Sequence, residues 1–140
     1  MKRTALVDTG PLVALLDRRD QDHPWVVQQM ARLRRPLHTC EAVITEAFHL
    51  LRHLPPARTA ILEMLAEGVL AIPFQLREQP REVLALLQRY ANVPMAPADA
   101  CLVRLSELVS DGVVVTLDSD FRIYRRHGRQ KIPLVIPPDR

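Results

Sequence analysis

The sequence predicts an α/β domain in which helices cover both faces of a mostly parallel sheet. Short apolar segments with strand character alternate with longer amphipathic segments, the order that builds a parallel sheet through helical crossovers. The strongest strand segment, VVVTL at 113–117, is β-branched and apolar on both faces, as expected for a central parallel strand. A length of 140 residues suits one hydrophobic core. We therefore expect residues 1–140 to form a single domain.

The first half of the chain predicts two strands and four helices. The elements expected here are a strand at 4–7, a helix starting at Pro11, a helix starting at Pro24, a strand at 36–39, a helix at 41–54 and a helix at 57–68. Proline is favoured in the first turn of a helix, which supports the two proline starts. Pro55 and Pro56 are expected to separate the last two helices, and Gly68 suits a C-terminal cap.

The second half predicts three strands and two helices. The elements expected here are a strand at 69–74, a helix at 78–91, a helix from Pro97 to Gly112, a strand at 113–117 and a last strand at 134–136. Apolar residues recur at intervals of three and four along the helix that follows Pro97, which is the pattern of a helix with one buried face. Prolines bracket the last strand on both sides.

Charge and cysteine content narrow the functional classes. The net charge is +3, and residues 121–140 hold six basic residues against one acid, which gives +5 there and −2 in the rest. A basic end favours a polyanionic partner, although a solvated arginine-rich surface has the same composition. Cys40 and Cys101 form no CxxC pair, which argues against a disulfide scaffold or zinc ribbon. No apolar run reaches the length of a membrane helix, so we expect a cytoplasmic, reduced protein.

Two acidic residues occupy positions where parallel sheets bind ligands, and a third begins a helix. Asp8 directly follows the first predicted strand, and Asp118 directly follows the strand at 113–117. Ligands bind beyond the carboxyl ends of such strands, so these carboxylates lie side by side if their strands are neighbours. Asp99 lies at the start of a helix, where a negative charge is favourable even without a ligand.

A fourth acid comes from the helix at 41–54, where geometry leaves two candidates. Glu46 falls on one rim of the apolar stripe and Glu41 near the opposite rim. Each acid also has an ordinary explanation as a turn, a cap or an exposed residue. Several carboxylates in one cleft nevertheless require protons or cations. Oxygen ligands favour Mg²⁺ or Mn²⁺, and the histidine pair His49 and His53 lacks the HExxH pattern of a zinc site.

Four segments of the chain resemble, in order and spacing, the signature blocks of PIN-domain nucleases. These segments are LVDTGPLVALLD (6–17), ITEAFHLL (44–51), APADACLV (96–103) and VVVTLDSDF (113–121). One block alone is a weak signal, but four in order across the chain are specific. The resemblance implies a three-layer α/β/α fold and cleavage of RNA that depends on Mg²⁺ or Mn²⁺.

The resemblance also implies the residues of the site. Those that match the family's acidic quartet are Asp8, Glu46, Asp99 and Asp118. This match prefers Glu46 to Glu41. Asp120 matches a frequent additional acid, and Thr9 and Thr116 match positions that often hold a hydroxyl near the metal. The family's third block often carries two acids, whereas Asp99 stands alone. One metal is therefore expected to be bound more weakly, and a one-metal or substrate-completed site is consistent with the sequence.

The resemblance extends to substrate and partners. The size is similar to VapC-like toxins of type II toxin–antitoxin pairs, which implies an RNA substrate, a protein antitoxin and a homodimer. The arginines after the last acid, which would guide RNA phosphates, are Arg122, Arg125, Arg126 and Arg129. Their alternative is a solvated helix and loop. Apolar surface for dimerisation or an antitoxin is offered by the short helices near the N-terminus, with Trp25, Val26 and Leu33, and by those at 41–67. The sequence does not distinguish such a surface from core.

Other functions fit the same fold. A solitary RNA-processing nuclease needs the same quartet without an antitoxin. A non-catalytic PIN-like module for RNA binding or assembly would be expected to have lost some of its acids. An aspartyl phosphatase or receiver domain requires a second Asp two residues after the first, where this chain has Gly10.

Overall fold

A computed structural model describes residues 2–140 of the chain. Its helices and strands are, in order, β1 (Thr4–Val7), α1 (Thr9–Leu16), α2 (His23–Met30), β2 (Arg34–His38), α3 (Glu41–Leu50), α4 (Pro55–Ala66), β3 (Leu70–Ala71), α5 (Pro80–Arg89), α6 (Pro97–Leu108), β4 (Gly112–Val115), β5 (Arg125–Arg126), β6 (Gln130–Lys131) and β7 (Leu134–Val135). Two 3-10 turns lie at Leu76–Glu78 and Ser119–Arg122. Within residues 2–140, no helix is both long and apolar enough to cross a membrane.

The central sheet has five strands in the order β3-β2-β1-β4-β7, and every neighbouring pair is parallel. Val7 of β1 lies opposite Val115 of β4, so the two strands that precede Asp8 and Asp118 are neighbours at the centre. Every residue of β1 and β4 is buried, as their apolar composition predicts. The predicted three-layer α/β/α fold with a mostly parallel sheet is confirmed.

The parallel connections determine which helix ends meet at the site. A parallel strand requires the chain to return from the carboxyl edge of the sheet to the amino edge, and helices make that return. Helix α6 packs against both β1 and β4 and leads into β4, so its first turn lies at the carboxyl edge. Helices α1 and α3 begin at the same edge because they directly follow β1 and β2.

Strands β1 and β4 contribute buried residues to the hydrophobic core. Leu6 is fully buried, and full burial of a leucine side chain stabilises a fold by about 1.5–3 kcal/mol. A Cβ atom at Gly112 would lie 2.9 Å from Cδ1 of Leu6 and 3.1 Å from the Val109 carbonyl oxygen, so a larger residue at the start of β4 would require its neighbours to shift. Val26 and Leu33, for which the sequence left core and partner surface open, belong to the core, since they are only 0% and 8% exposed.

Several boundaries differ from the sequence prediction at prolines. The predicted strand at 69–74 shortens to Leu70–Ala71, since Pro73 has no N–H to donate to a strand ladder. Pro55 and Pro56 form the first turn of α4 instead of a gap between helices. The helix that starts at Pro97 ends at Leu108, because Val109 already has an extended backbone.

A small antiparallel hairpin of β5 and β6 occupies the basic segment, where the sequence suggested a helix and loop as the alternative to RNA contacts. Positive φ angles at His127 and Gly128 close its turn, and glycine adopts this conformation without steric cost. Glu107 of α6 accepts a hydrogen bond from the His127 amide at 2.7 Å, and Arg89 of α5 donates to the Gly128 carbonyl at 2.6 Å. The hairpin is therefore attached to α5 and α6 and is not free in solvent.

Candidate active site

Asp8 links strand β1 to helix α1. Its amide donates to the Val115 carbonyl at 3.0 Å, which continues the β1–β4 ladder by one residue. One carboxylate oxygen caps α1 by accepting from the Thr9 amide at 2.8 Å, and Asp8 is only 7% exposed. Burial raises the pKa of Asp8 to about 6, and the charges of Asp99 and Asp118 add to the rise. This carboxylate is therefore close to others that carry the same charge.

Thr116 connects the two strand-end acids. Its fully buried hydroxyl donates to Oδ2 of Asp8 at 2.7 Å and accepts from the amide of Asp118 at 3.0 Å. Asp118 in turn caps the following 3-10 turn, since its Oδ1 accepts from the Asp120 amide at 2.9 Å. A single hydroxyl thus orients Asp8 and holds the backbone that carries Asp118.

Helix α3 brings Glu46, and not Glu41, to these acids. The Thr9 hydroxyl donates to Oε2 of Glu46 at 3.3 Å, which joins α1 to α3. Glu41 lies about 1.4 turns earlier and lines two other cavities, next to Phe74 and Leu76. Helix periodicity alone left Glu41 and Glu46 as equal candidates. The direction in which α3 leaves the sheet places Glu46, and not Glu41, at the cleft.

Asp99 is the acid contributed by helix α6. It is the third residue of the helix, and its Oδ2 accepts from the Ala96 amide at 2.9 Å, as in a capping box. Burial raises the pKa of Asp99, and the negative charges of Asp118 and Glu46 raise it further, while the Ala96 bond opposes the rise. The capping role expected from sequence is real, and the side chain also belongs to the acidic cluster.

The quartet lines one open cleft of about 530 Å³. The residues that form this cleft are Asp8, Thr9, Gly10, Glu46, Leu50, Ala96, Asp99, Leu117, Asp118 and Ser119. Within residues 2–140, no three His, Cys, Asp or Glu side chains are close enough to form a ready-made metal site. The donor set fits a hard divalent cation in chemistry and charge, since it consists of carboxylate and hydroxyl oxygens with unbalanced negative charge.

Two further residues lie beside the cleft. Asp120 is half-buried and contributes to the raised pKa of Asp99, although it does not line the cleft. Tyr124 is fully buried between the rings of Tyr90 and Phe121, and its hydroxyl has no hydrogen-bond partner within residues 2–140. Burial raises the pKa of Tyr124, with Asp99 the largest charge contribution. Nothing in the sequence pattern distinguished this tyrosine from other core aromatics.

The four arginines proposed for RNA contacts differ in their surroundings. Arg122 and Arg129 are exposed, but Arg122 donates to the Arg140 carbonyl at 2.8 Å. Arg125 donates to three carbonyls of the preceding turn, and half-buried Arg126 donates to the Ser106 carbonyl at 3.3 Å. The hairpin contacts residues 106–107 of α6, about 12 Å along the helix axis from Asp99.

Comparison with known proteins places this site in a family. No curated protein sequence matches the chain. The crystal structure of VapC20 from Mycobacterium tuberculosis, described as a Sarcin-Ricin loop cleaving toxin, has a TM-score of 0.75 to this structure at 19% sequence identity, and the match covers 84% of this chain and 92% of that one. That likeness shows the fold. The PIN domain family profile matches residues 5–126, which include all four quartet acids, and the resemblance seen in the sequence is thereby confirmed: the chain belongs to the PIN domain family.

Proposed function

We propose that this protein is an endoribonuclease that hydrolyses RNA phosphodiester bonds in the acidic cleft with Mg²⁺ or Mn²⁺. The observation that carries the proposal is that Asp8, Glu46, Asp99 and Asp118 line the same cleft at the carboxyl edge of the sheet. Carboxylates that raise one another's pKa are unfavourable for stability alone, so their presence in one cleft favours a cation-dependent role. Membership of the PIN domain family supports the same reaction class.

In this proposal each residue has a defined task. The four carboxylates would hold the cation, which when bound lowers the pKa of a water ligand and neutralises charge on the scissile phosphate. Thr116 and Thr9 hold Asp8 and Glu46 in fixed orientations through their hydroxyls, as is usual for groups that support metal ligands. The reaction would leave a 5′-phosphate and a 3′-hydroxyl, and Asp120 would reinforce the negative potential of the cleft.

RNA would approach along the side of α6. Arg122 follows the quartet acid Asp118 by four residues and would contact phosphates nearest the cut. Arg126 and Arg129 in or beside the hairpin would contact phosphates further along the strand, given the distance of about 12 Å along α6. Such contacts supply affinity that depends on salt, without sequence preference.

The likeness to VapC20 supports a toxin role with a protein antitoxin. An apolar groove of about 630 Å³ lies between α2, β2 and α4 and is bordered by Lys2, Arg34 and Arg35. It would suit an apolar antitoxin segment with acidic flanks, and the exposed apolar residues of α3 and α4 would suit a homodimer contact.

A solitary RNA-processing nuclease is the second candidate, because the cleft itself needs no antitoxin. The complete quartet argues against a non-catalytic module.

RNA cleavage by matched variants tests the proposal. Purified protein should cleave RNA when Mn²⁺ or Mg²⁺ is added, and Asp8→Asn should reduce the rate at least a hundredfold. Glu46→Gln should also reduce it, whereas Glu41→Gln, on the same helix but outside the cleft, should cleave like wild type. Equal rates for wild type and Asp8→Asn would contradict the proposed chemistry. Equal losses for the two glutamate variants would contradict the assigned role of Glu46.

A further inference from the structure

A pocket lies beside strand β7, which ends the order of strands in the central sheet. The residues that line it, and that define what we call the edge pocket, are Phe121, Arg122, Lys131, Ile132, Leu134 and Ile136. The edge pocket has a volume of about 360 Å³. Small-molecule sites span about 300–1,000 Å³, so this pocket suits one small group and not a long segment of chain.

Four apolar side chains line the edge pocket. Phe121 and Ile132 are 0% and 5% exposed, and Leu134 and Ile136 are half-buried. Leu134 belongs to β7 and Ile136 follows two positions later, so both side chains point to the same face of the sheet. An apolar lining of this kind favours an apolar group over a hydrated ion.

Two cations complete the edge pocket. Arg122 and Lys131 are both exposed, and none of the ion pairs within residues 2–140 involves either side chain. Arg122 donates from Nε to the Arg140 carbonyl at 2.8 Å, which leaves its terminal nitrogens for another acceptor. No acid among residues 2–140 lines the pocket. The charge pattern therefore suits an apolar group with negative charge beside it.

The edge pocket and the acidic cleft share one short turn. Asp118 caps the 3-10 turn at Ser119–Arg122, where Ser119 lines the cleft while Phe121 lines the pocket. At about 2 Å of rise per residue, Phe121 lies about 6 Å along the turn from Asp118. Two stacked nucleotides of one strand cover a similar distance, since each rises about 3.4 Å. The pocket is therefore within one or two nucleotides of the cleft.

Strand β7 connects the opposite side of the pocket to the cleft. Val135 of β7 lies opposite Val115 of β4, and its carbonyl accepts from the Thr116 amide at 3.1 Å. Thr116 is the residue whose hydroxyl orients Asp8. Ile136, the next residue after β7, thus lies at the same carboxyl edge of the sheet as the quartet acids.

A nucleotide has the combination of groups that the edge pocket matches. Its base has two flat apolar faces, and phosphates lie on either side of it along the strand. Single-stranded RNA is recognised through bases that leave the stack and lie against aromatic, apolar or arginine side chains. An uncharged apolar side chain from a protein would fill the pocket but would leave Arg122 and Lys131 without anions. The two cations therefore favour a nucleobase.

We infer that the edge pocket holds one unstacked base of the RNA strand, one or two nucleotides from the scissile phosphate, with Arg122 and Lys131 on the phosphates beside it. This inference rests on the proposed nuclease function. Phosphate contacts carry no sequence information, whereas contacts to a base do. The edge pocket then contributes to the choice of the bond that is cut.

Methyl NMR spectra of the metal-free protein test base binding without any cleavage. Nucleoside 5′-monophosphates should shift the methyl signals of Ile132, Leu134 and Ile136. Ribose 5-phosphate has the same phosphate but no base, and it should bind at least about fivefold more weakly, the lower limit expected for stacking of one base on a protein. The methyl signals of Leu84, which is 53% exposed on α5, are the internal control and should not move.

Two results of these spectra would overturn the inference. One is an equal shift of the pocket methyls by ribose 5-phosphate and by the nucleotides, since the base would then contribute nothing. The other is a shift by an acidic peptide with one apolar side chain and none by any nucleotide, which would assign the pocket to a protein partner.

Cleavage of RNA that lacks single bases tests the link to the cleft. After the cut in a short single-stranded RNA has been mapped, the base is removed from each nucleotide within two positions of the cut, one at a time. Removal at one of these positions should raise KM about fivefold or more for wild type. The increase should be less than about twofold for Ile136→Gln, because this variant has already lost the contact with the base.

Leu84→Gln is the matched control, since it makes the same type of substitution at an exposed position outside the pocket and should respond to base removal like wild type. Thermal melts verify that both variants are folded. An equal response of Ile136→Gln and wild type would overturn the link between the pocket and the cut. Failure of wild type to cleave any RNA would instead contradict the nuclease function, and the NMR spectra would still decide whether the pocket binds a base.

Discussion

At the scale of single residues, Thr116 supports two acids of the site with one hydroxyl. Its hydroxyl has no exposure to solvent, and it serves as donor to Asp8 and as acceptor for the Asp118 amide. A buried polar group left without its partner costs more than a hydrogen bond contributes, so the two acids depend on this one oxygen. The family resemblance singled out Thr116 in the sequence, although threonine is itself a strand former and its presence in a strand alone indicates no such role.

Thr116→Val should destabilise the protein by about 1–3 kcal/mol. The substitution preserves shape but leaves the Asp118 amide and one oxygen of Asp8 unpaired in the interior. Thr116→Ser is the matched control, since it keeps the hydroxyl and loses only a methyl group, at a cost of about 1 kcal/mol. Urea unfolding of the three proteins measures the difference. A serine variant as unstable as the valine variant would show that packing, and not the hydrogen bonds, is what Thr116 contributes.

Asp8 gives a pH-dependent prediction for the metal-free protein. Its pKa rises from 3.8 to about 6 on folding, chiefly through burial, and this corresponds to about 3 kcal/mol. The folded state therefore binds the proton more tightly than the unfolded state, so stability falls as pH rises from about 4 to about 6. Above about pH 6 the full penalty is present, because a charged carboxylate is then buried.

Asp8→Asn removes this penalty. In the presence of a chelator we expect the variant to melt at a higher temperature than wild type above pH 6, and the difference should shrink toward zero below about pH 4. Thermal melts at several pH values provide the measurement. A difference that does not vary with pH would contradict the raised pKa of Asp8.

Sequence reasoning was strongest for residues next to strands and weakest for residues brought together by packing. Asp8 and Asp118 could be predicted because a strand end determines where a side chain lies at a sheet edge. Glu46 could be chosen over Glu41 only by family resemblance, since the decisive bond from Thr9 depends on the angle between α1 and α3.

At the scale of elements, the basic hairpin is the main departure from prediction. Its strands have two residues each, too few for any alternation of apolar and polar positions to appear in the sequence. Its conformation depends on contacts with α5 and α6, because an isolated two-stranded hairpin is marginally stable. Parallel strands and amphipathic helices were predictable because the apolar residues that they bury form a regular pattern along the sequence, as in β4 and α6.

Glu107→Ala should release the hairpin from α6. Glu107 accepts from the His127 amide and pairs with Arg104 at 3.1 Å, and its side chain is 12% exposed. We expect amides of residues 125–131 to exchange with solvent more rapidly, consistent with a local loss of about 1 kcal/mol. Glu107→Gln keeps a carbonyl oxygen for the amide and should preserve most of the protection. Unaltered exchange in the alanine variant would mean that other contacts hold the hairpin.

At the scale of the whole molecule, charge is separated between an acidic cleft and a basic end. The last twenty residues carry +5 while the remainder carries −2, so the molecule presents opposite potentials to a polyanion. Affinity for RNA would then come from counterion release at the basic surface, and chemistry would occur in a cleft that repels phosphate until a cation is bound.

The salt dependence of RNA binding tests whether the basic surface supplies the affinity for RNA. The logarithm of the affinity should fall linearly with the logarithm of salt concentration, and Arg129→Ala should reduce the slope by about 1 because it removes one phosphate contact. Arg32→Ala removes an exposed arginine outside the basic segment and should leave the slope unchanged. Identical slopes for wild type and Arg129→Ala would exclude Arg129 from the RNA surface.

The pairing of β1 with β4 also governs when an active molecule can exist during synthesis. Asp8 and Thr116 are 108 residues apart in the chain, so about 5–20 seconds of translation separate the two halves of the site. Until β4 emerges, β1 lacks its central neighbour, and Asp8 has neither the hydroxyl that orients it nor the other acids that β4 and α6 supply. Contacts of such long sequence separation also form late in folding. A nascent chain on the ribosome therefore has no assembled cleft, and activity begins only once nearly the whole domain has been made.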